Sequence, residues 1–312
     1  MTHVICGVDV SATTLDARIG RDGEHCRFDV STEGLDDLVA FCHAHQVSLV
    51  VMEATGGYER RPAGHLWAAE RPTAIVNPRA VRDFAKAMGW LEKTDRIDCG
   101  FIAWYAETKR IQPTPPASAT QARLTALVRR LRQLTDLRTQ QTNQRRLITE
   151  PAVLDSFGPI LAAIVTQQRQ LETLIAQAIG DDPLWTRLDA AFRTIKGVAD
   201  RTVARLMAEM PEIGTLSNKA VAKLAGLAPI ARDSGQHSGK RRVRGGREPV
   251  RSILFVIAEV VRRYDPDFVA FHQRLSRAGK PNKLIRIAIA RKILVRLNAK
   301  AREVRNNTAL PA

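Results

Sequence analysis

The chain has 312 residues, with 48 Lys plus Arg against 32 Asp plus Glu and a formal net charge of +16. Hydrophobic residues make up 45% and charged residues 26%, a globular composition long enough for two domains, which excludes a wholly disordered chain. No apolar run approaches the roughly 18 residues of a membrane span, the start MTHVICGVDV lacks a signal-peptide pattern, and Cys6, Cys26, Cys42 and Cys99 have neither zinc nor disulfide spacing.

This pattern predicts a cytoplasmic protein with no membrane partner. In chain order, His3 to Val10 is a short apolar run, Thr13 to Ile19 alternates, Arg21-Asp22-Gly23 is turn chemistry, and Glu24 to Val30 alternates again. Three successive antiparallel strands are expected. Ser31 is placed to cap a helix presenting Leu35, Leu38, Val39 and Cys42 on one face. Ser48 to Met52 and Thr73 to Val76 read as buried strands, Asn77-Pro78 starts a helix, and a further helix is expected from about Thr94 to Thr108. Three antiparallel strands followed by alternating helix and strand predict a ribonuclease-H-like α/β fold.

Gln112 to Ala119 (QPTPPASA) is the clearest linker, because its prolines cannot continue a helix. Beyond it, Leu124, Leu127, Leu131 and Leu134 recur at helical spacing, as do Leu161, Ile164, Val165, Gln168, Leu171, Leu174, Ile175 and Ala178. Two helices in a coiled-coil hairpin, closed by Gly180-Asp-Asp-Pro183, fit this series. Two ordinary helices packed on a domain fit it equally. The rest is mainly helical, broken by a Gly- and Arg-rich loop at 226–247, and Leu284, Ile287 and Ile289 are expected to pack inward.

Charge divides along the same line. Residues 1–110 hold 13 Lys plus Arg and 16 Asp plus Glu, and residues 111–312 hold 35 and 16, so the net is −3 before the linker and +19 after it. A surplus confined to one part of the chain predicts a polyanion-binding surface, with nucleic acid the favoured partner.

Four acids stand where chemistry is expected. Asp9 lies in the first strand, on the opposite face from Val8 and Val10. Glu53 ends the fourth strand, and Asp95 and Asp98, three apart, share a face of the following helix. A ribonuclease-H-like sheet would bring all four together to bind one or two Mg²⁺, which prefers oxygen ligands. Gly7-Val8-Asp9-Val10-Ser11-Ala12-Thr13-Thr14 also resembles the phosphate-binding hairpin of actin-like ATPases and sugar kinases, a reading that leaves the basic half unexplained.

In that half, Ile195 to Ala204 has the look of a helix-hairpin-helix turn in which Lys196 and Gly197 would meet a phosphate. Ser234-Gly235 and Ser238-Gly239 lie next to Lys240, Arg241, Arg242, Arg244, Arg247 and Arg251, which supply charge for a nucleic-acid backbone.

These residues resemble the DEDD-type bacterial transposases of the insertion sequence 110 group, relatives of the Piv invertases. Gly7-Val8-Asp9, Glu53-Ala54-Thr55-Gly56, Asn77-Pro78 and Lys93-Thr94-Asp95-Arg96-Ile97-Asp98 are similar to the family's first blocks. Ile195-Lys196-Gly197-Val198, Ala225-Gly226-Leu227-Ala228-Pro229, Ser234-Gly235 and Arg251 are similar to its later ones. The resemblance implies a RuvC-like metal-binding domain over 1–111, a linker and coiled-coil hairpin over 112–184, and a mainly α transposase domain over 185–312. It implies Asp9, Glu53, Asp95 and Asp98 as the Mg²⁺ tetrad and Ser234 as the nucleophile of a covalent phosphoserine link. It further implies donor and target DNA, a guiding bridge RNA, a homo-oligomer (dimer or tetramer) and a nucleoid-associated location in a bacterial cytoplasm. The alternatives are a Holliday-junction-type hydrolytic nuclease and a non-catalytic nucleic-acid-binding protein.

Overall fold

The computed structural model describes residues 4–90, 95–231, 233–234, 237–239 and 241–309, with the backbone alone at 95–97, 234, 237–238 and 308–309. The chain divides into two compact units, Met1–Ala117 and Ser118–Ala312, parted inside the proline-rich run.

The first unit is built on a five-stranded sheet. Strands β1 (Ile5–Val10), β2 (Thr14–Ile19) and β3 (His25–Asp29) run antiparallel in succession. Strands β4 (Leu49–Glu53) and β5 (Thr73–Val76) then add parallel to β1, giving the order β3-β2-β1-β4-β5. Period-two alternation assigns the faces. Cys6, Val8, Val10, Leu15, Val50 and Met52 point to one side, where Leu35, Leu38 and Cys42 of α1 (Thr32–Ala44) and Leu66 of α2 (Arg60–Ala68) cover them. Ile5, Leu49, Val51 and Val76 point to the other, beneath Val81 of α3 (Pro78–Ala87) and Phe101, Ile102 and Ala106 of α4 (Asp95–Lys109). Ser31 caps α1 by accepting from Gly34 N at 3.0 Å, and Asn77 caps α3 by accepting from Arg79 N at 2.9 Å, with Pro78 in its first turn.

The second unit is helical apart from a short ribbon. Helices α5 (Ala119–Arg145) and α6 (Pro151–Gly180) pair as a hairpin through Leu124, Val128, Leu131 and Leu134 on one side and Ile164, Gln168 and Ile175 on the other. Gln168 Nε2 donates to Thr135 Oγ1 at 3.0 Å inside this seam. The hairpin's own turn lies at 146–150; Gly180 to Asp182 instead leads α6 into α7 (Pro183–Arg193). Helices α8 (Asp200–Glu209), α9 (Asn218–Leu224), α10 (Glu248–Tyr264), α11 (Pro266–Arg277) and α12 (Asn282–Ala309) complete the unit, with strands β6 (Asp233–Ser234) and β7 (His237–Ser238) between α9 and α10. Residues Ile285, Ile289, Ile293 and Leu297 of α12 lie in the middle of one apolar core with Leu188, Phe192, Leu206, Leu254 and Val261. Leu284, expected to pack inward, is 48% exposed; the buried stripe is its neighbour's, at 285, 289 and 293. No helix among the described residues is long and apolar enough to cross a membrane.

Candidate active site

Strand register places two of the four acids side by side. Gly7 pairs with Val51 and Val8 with Met52 in the parallel ladder, so Asp9 and Glu53 follow one step on, at the C-terminal ends of neighbouring strands. Both share the face of Gly7 and Val51, the one that α4 covers. Helix α4 reaches β1 at Gly7, where a Cβ would stand 2.0 Å from the Cys99 carbonyl oxygen and 2.6 Å from Ala103 N. Helix α4 is therefore seated on β1 through Cys99 and Ala103, the first of them the neighbour of Asp98 in the chain. Asp9, Glu53 and Asp98 are all half-buried. The backbone of Asp95 lies one turn earlier on the same helix; its side chain, with Lys93 and Thr94, lies outside the described residues.

Two acids that the sequence reading passed over support this face. Asp16 is the cross-strand partner of Asp9 and only 4% exposed. It accepts from Arg27 Nε at 3.1 Å and Arg27 Nη2 at 3.0 Å, and lies 2.9 Å from His25 Nε2. Its charge is thus offset beside Asp9. Burial pushes the Cys99 thiol up to about 11 against the opposing pull of Arg18, and Asp16 and Asp9 both add to the rise. Strand alternation sets both carboxylates on the sheet face that α4 covers. Glu59, 7% exposed, accepts from Thr55 N at 2.9 Å and Gly57 N at 2.8 Å, fixing the loop that leaves Glu53. The parity of Asp16 across the hairpin from Asp9 was a readable signal; Glu59 had none, because only the folded turn brings its carboxylate back to Thr55.

As donors, Asp9, Glu53, Asp95 and Asp98 are all carboxylates, a hard-oxygen set suited to Mg²⁺ in preference to zinc. Among the described residues, no three His, Cys, Asp or Glu side chains are grouped to hold a metal ion, so the structure does not gather Asp9, Glu53 and Asp98 into one such group.

In the second unit, Ser234 lies on the ribbon, paired with His237, and Asp233 with Ser238. The ribbon's root is held by the bridge between Ile230 and Arg242 and by two glycine turns in backbone contact. A Cβ on Gly246 (φ +68) would stand 2.2 Å from Gly226 N, and one on Gly226 (φ +67) 2.0 Å from the Gly245 oxygen. The expected phosphate binders then divide. Arg247 forks onto Glu212, with both contacts at 2.6 Å, and donates to the Glu209 carbonyl at 2.8 Å. Arg251 donates to the Gly245 carbonyl. Both guanidinium groups are engaged inside the fold. Arg241, Arg242 and Arg244 are exposed, and Lys240 lies outside the described residues. Lys196 and Gly197 occupy an exposed turn before α8, whose first turn carries Asp200, paired with Arg193.

Comparison with known proteins places these features in a family setting. Residues 6–155 match a family described as transposase, and residues 189–273 match the transposase IS116/IS110/IS902 family. The pilin gene-inverting proteins of Moraxella bovis and Moraxella lacunata are each 30% identical, covering 94% of this chain and 94% of theirs. An uncharacterized 43.6 kDa protein of insertion element IS110 from Streptomyces coelicolor is 27% identical over 67% of this chain and 53% of its own length. Among solved structures, Thermus thermophilus RuvC matches at a TM-score of 0.25 and 14% identity, covering 36% of this chain and 99% of that one.

Proposed function

The chain belongs to the IS116/IS110/IS902 transposase family, and we propose that it cuts and rejoins DNA through a four-carboxylate site and a serine nucleophile. The observation that carries this reading is the register of β1 and β4, which sets Asp9 beside Glu53 on the sheet face that α4 covers. The strand order, with three antiparallel strands and two more parallel to the first, supports a ribonuclease-H-like, RuvC-like first unit. The relatives' name, gene inversion, supports strand exchange over hydrolysis.

In this reading Asp9, Glu53, Asp95 and Asp98 hold Mg²⁺, which when bound stabilises charge on the attacking and leaving oxygens of a phosphoryl transfer. Ser234 Oγ loses its proton and attacks the scissile phosphorus. A P–Oγ bond forms as the bond to the leaving sugar oxygen breaks, and that oxygen takes up a proton. The hydroxyl of the incoming strand then attacks the same phosphorus, Oγ departs, and the serine regains its proton. No phosphodiester is lost to water, so rejoining needs no external energy source. Donor and target DNA are the substrates, a bridge RNA encoded by the element guides the choice of sites, and the working form is a homo-oligomer.

Denaturing gels of protein incubated with Mg²⁺ and labelled DNA test this. A covalent adduct should appear with the native chain, persist with Ser238→Ala and vanish with Ser234→Ala. Strand cleavage without an adduct would show a hydrolytic nuclease instead, and an adduct mapped to another residue would remove Ser234 from its role.

A further inference from the structure

Several arginines of the second unit are spent internally: Arg132 on Glu248, Arg201 on Glu172, Arg247 on Glu212, Arg262 and Arg263 on Glu259, and Arg296 on Asp265 and Asp267. One group is not. A groove of about 910 Å³ runs between the ribbon root, α11 and the first half of α12. Arg242, Lys283, Arg291 and Lys292 line it, and among the described residues none of these four has a carboxylate within ion-pairing distance. Arg241, also lining it, lies 3.6 Å from Asp233. The floor is apolar, made by Leu227, Phe271, Leu284 and Ile287. Lys292 Nζ stands 4.5 Å from the centroid of the Phe271 ring, which holds a cation over the floor without neutralising it.

Four cations without a paired acid favour an anionic partner, and an apolar floor beneath them is of no use to a ligand that offers phosphates alone. A duplex hides its bases, whereas a single strand presents phosphates and apolar base faces together. The geometry points to this groove as a seat for single-stranded nucleic acid, with phosphates on Arg242, Lys283 and Arg291 and bases against Phe271 and Leu284. The inference rests on the reading of the chain as a nucleic-acid enzyme only for its class of polyanion; it requires neither the tetrad nor Ser234.

Fluorescence anisotropy of the full chain in chelator, without Mg²⁺, separates it from the recombination chemistry. The probes are an oligothymidine of about 20 nucleotides, an abasic strand of equal length and a duplex. The thymidine strand should bind at least about tenfold tighter than the abasic strand or the duplex. Lys283→Glu with Arg291→Glu should remove that advantage and flatten the log–log salt slope by roughly 1.4, two contacts at about 0.7 each. Asp9→Asn should bind the strand normally. As a check that needs no variant, iodouridine in the strand should crosslink the native chain within α11 or the start of α12. Equal binding of abasic and thymidine strands, crosslinks confined elsewhere, or full displacement by polyglutamate of equal charge would overturn the inference. The last result would assign the groove to an acidic protein segment. Groove binding with no strand exchange would instead leave this inference standing and sink the proposed reaction.

Discussion

Gly7 shows how a single atom fixes the candidate site. Its backbone needs no special conformation; its requirement is space, since a methyl group would stand 2.0 Å from the Cys99 carbonyl. Gly7→Ala should therefore lift α4 from β1, and Asp98 with it. A loss of about 1–3 kcal/mol in urea unfolding is expected, as for other overpacked sites, together with loss of strand exchange. Unchanged stability would mean that α4 does not rest on β1 as described. Glu59 acts on the opposite flank of the site through two backbone N–H groups. Glu59→Ala orphans both part-buried donors, at about 1–3 kcal/mol in all. Glu59→Gln keeps an acceptor and should recover most of the lost stability. DNA affinity should not change in either variant, whereas the turnover rate should fall in step with loop order. Equal turnover in Glu59→Ala and the native chain would show that the loop does not position Glu53.

At the scale of elements, α12 is tied to the α8–α9 connection by a buried side chain. Asn298, fully buried, accepts from Gly214 N at 2.9 Å and donates to the Leu216 carbonyl at 2.9 Å and to Asn218 Oδ1 at 3.1 Å. On α10, Arg262 first and Arg263 second hold the Glu259 carboxyl down to about 2 by hydrogen bonds and charge. A carboxylate whose folded value lies below its unfolded value of about 4.3 stabilises the fold above that pH and loses the contribution as pH falls toward 2. The urea midpoint of Glu259→Gln should therefore vary less over this window than that of the native chain. Parallel curves would show that the pair contributes nothing to acid stability. These elements were unevenly legible in the sequence. Alternation gave the strands, and the Asp9 parity followed from it directly. Ser31 and Asn77-Pro78 announced their helices because caps and first-turn prolines act locally. Leu284 misled, since 284, 287 and 289 do not make one helical face whereas 285, 289 and 293 do. Arg247 and Arg251 read as phosphate binders because their partners, Glu212 and the Gly245 carbonyl, are set by tertiary packing and by a glycine turn.

For the whole molecule, the net +19 beyond residue 110 is two populations of charge in one count. Deleting 226–312 would not separate them, because that segment carries Leu254, Ile257, Ile289, Ile293 and Leu297 of the second unit's core and its loss would remove the fold along with the charge. Single neutral substitutions do separate them. Arg247→Gln breaks the fork on Glu212 and leaves a part-buried carboxylate without its partner, so it should lower the urea midpoint. It should leave the salt dependence of nucleic-acid binding as it was, since that guanidinium is already occupied. Arg242→Gln touches no internal acid and should hardly move the midpoint, yet should flatten the log–log salt slope by about 0.7–0.9, one released phosphate contact. Measuring both quantities on both variants gives a crossed design. If Arg247→Gln flattened the slope and Arg242→Gln did not, the structural and ligand-facing charges would have been assigned the wrong way round.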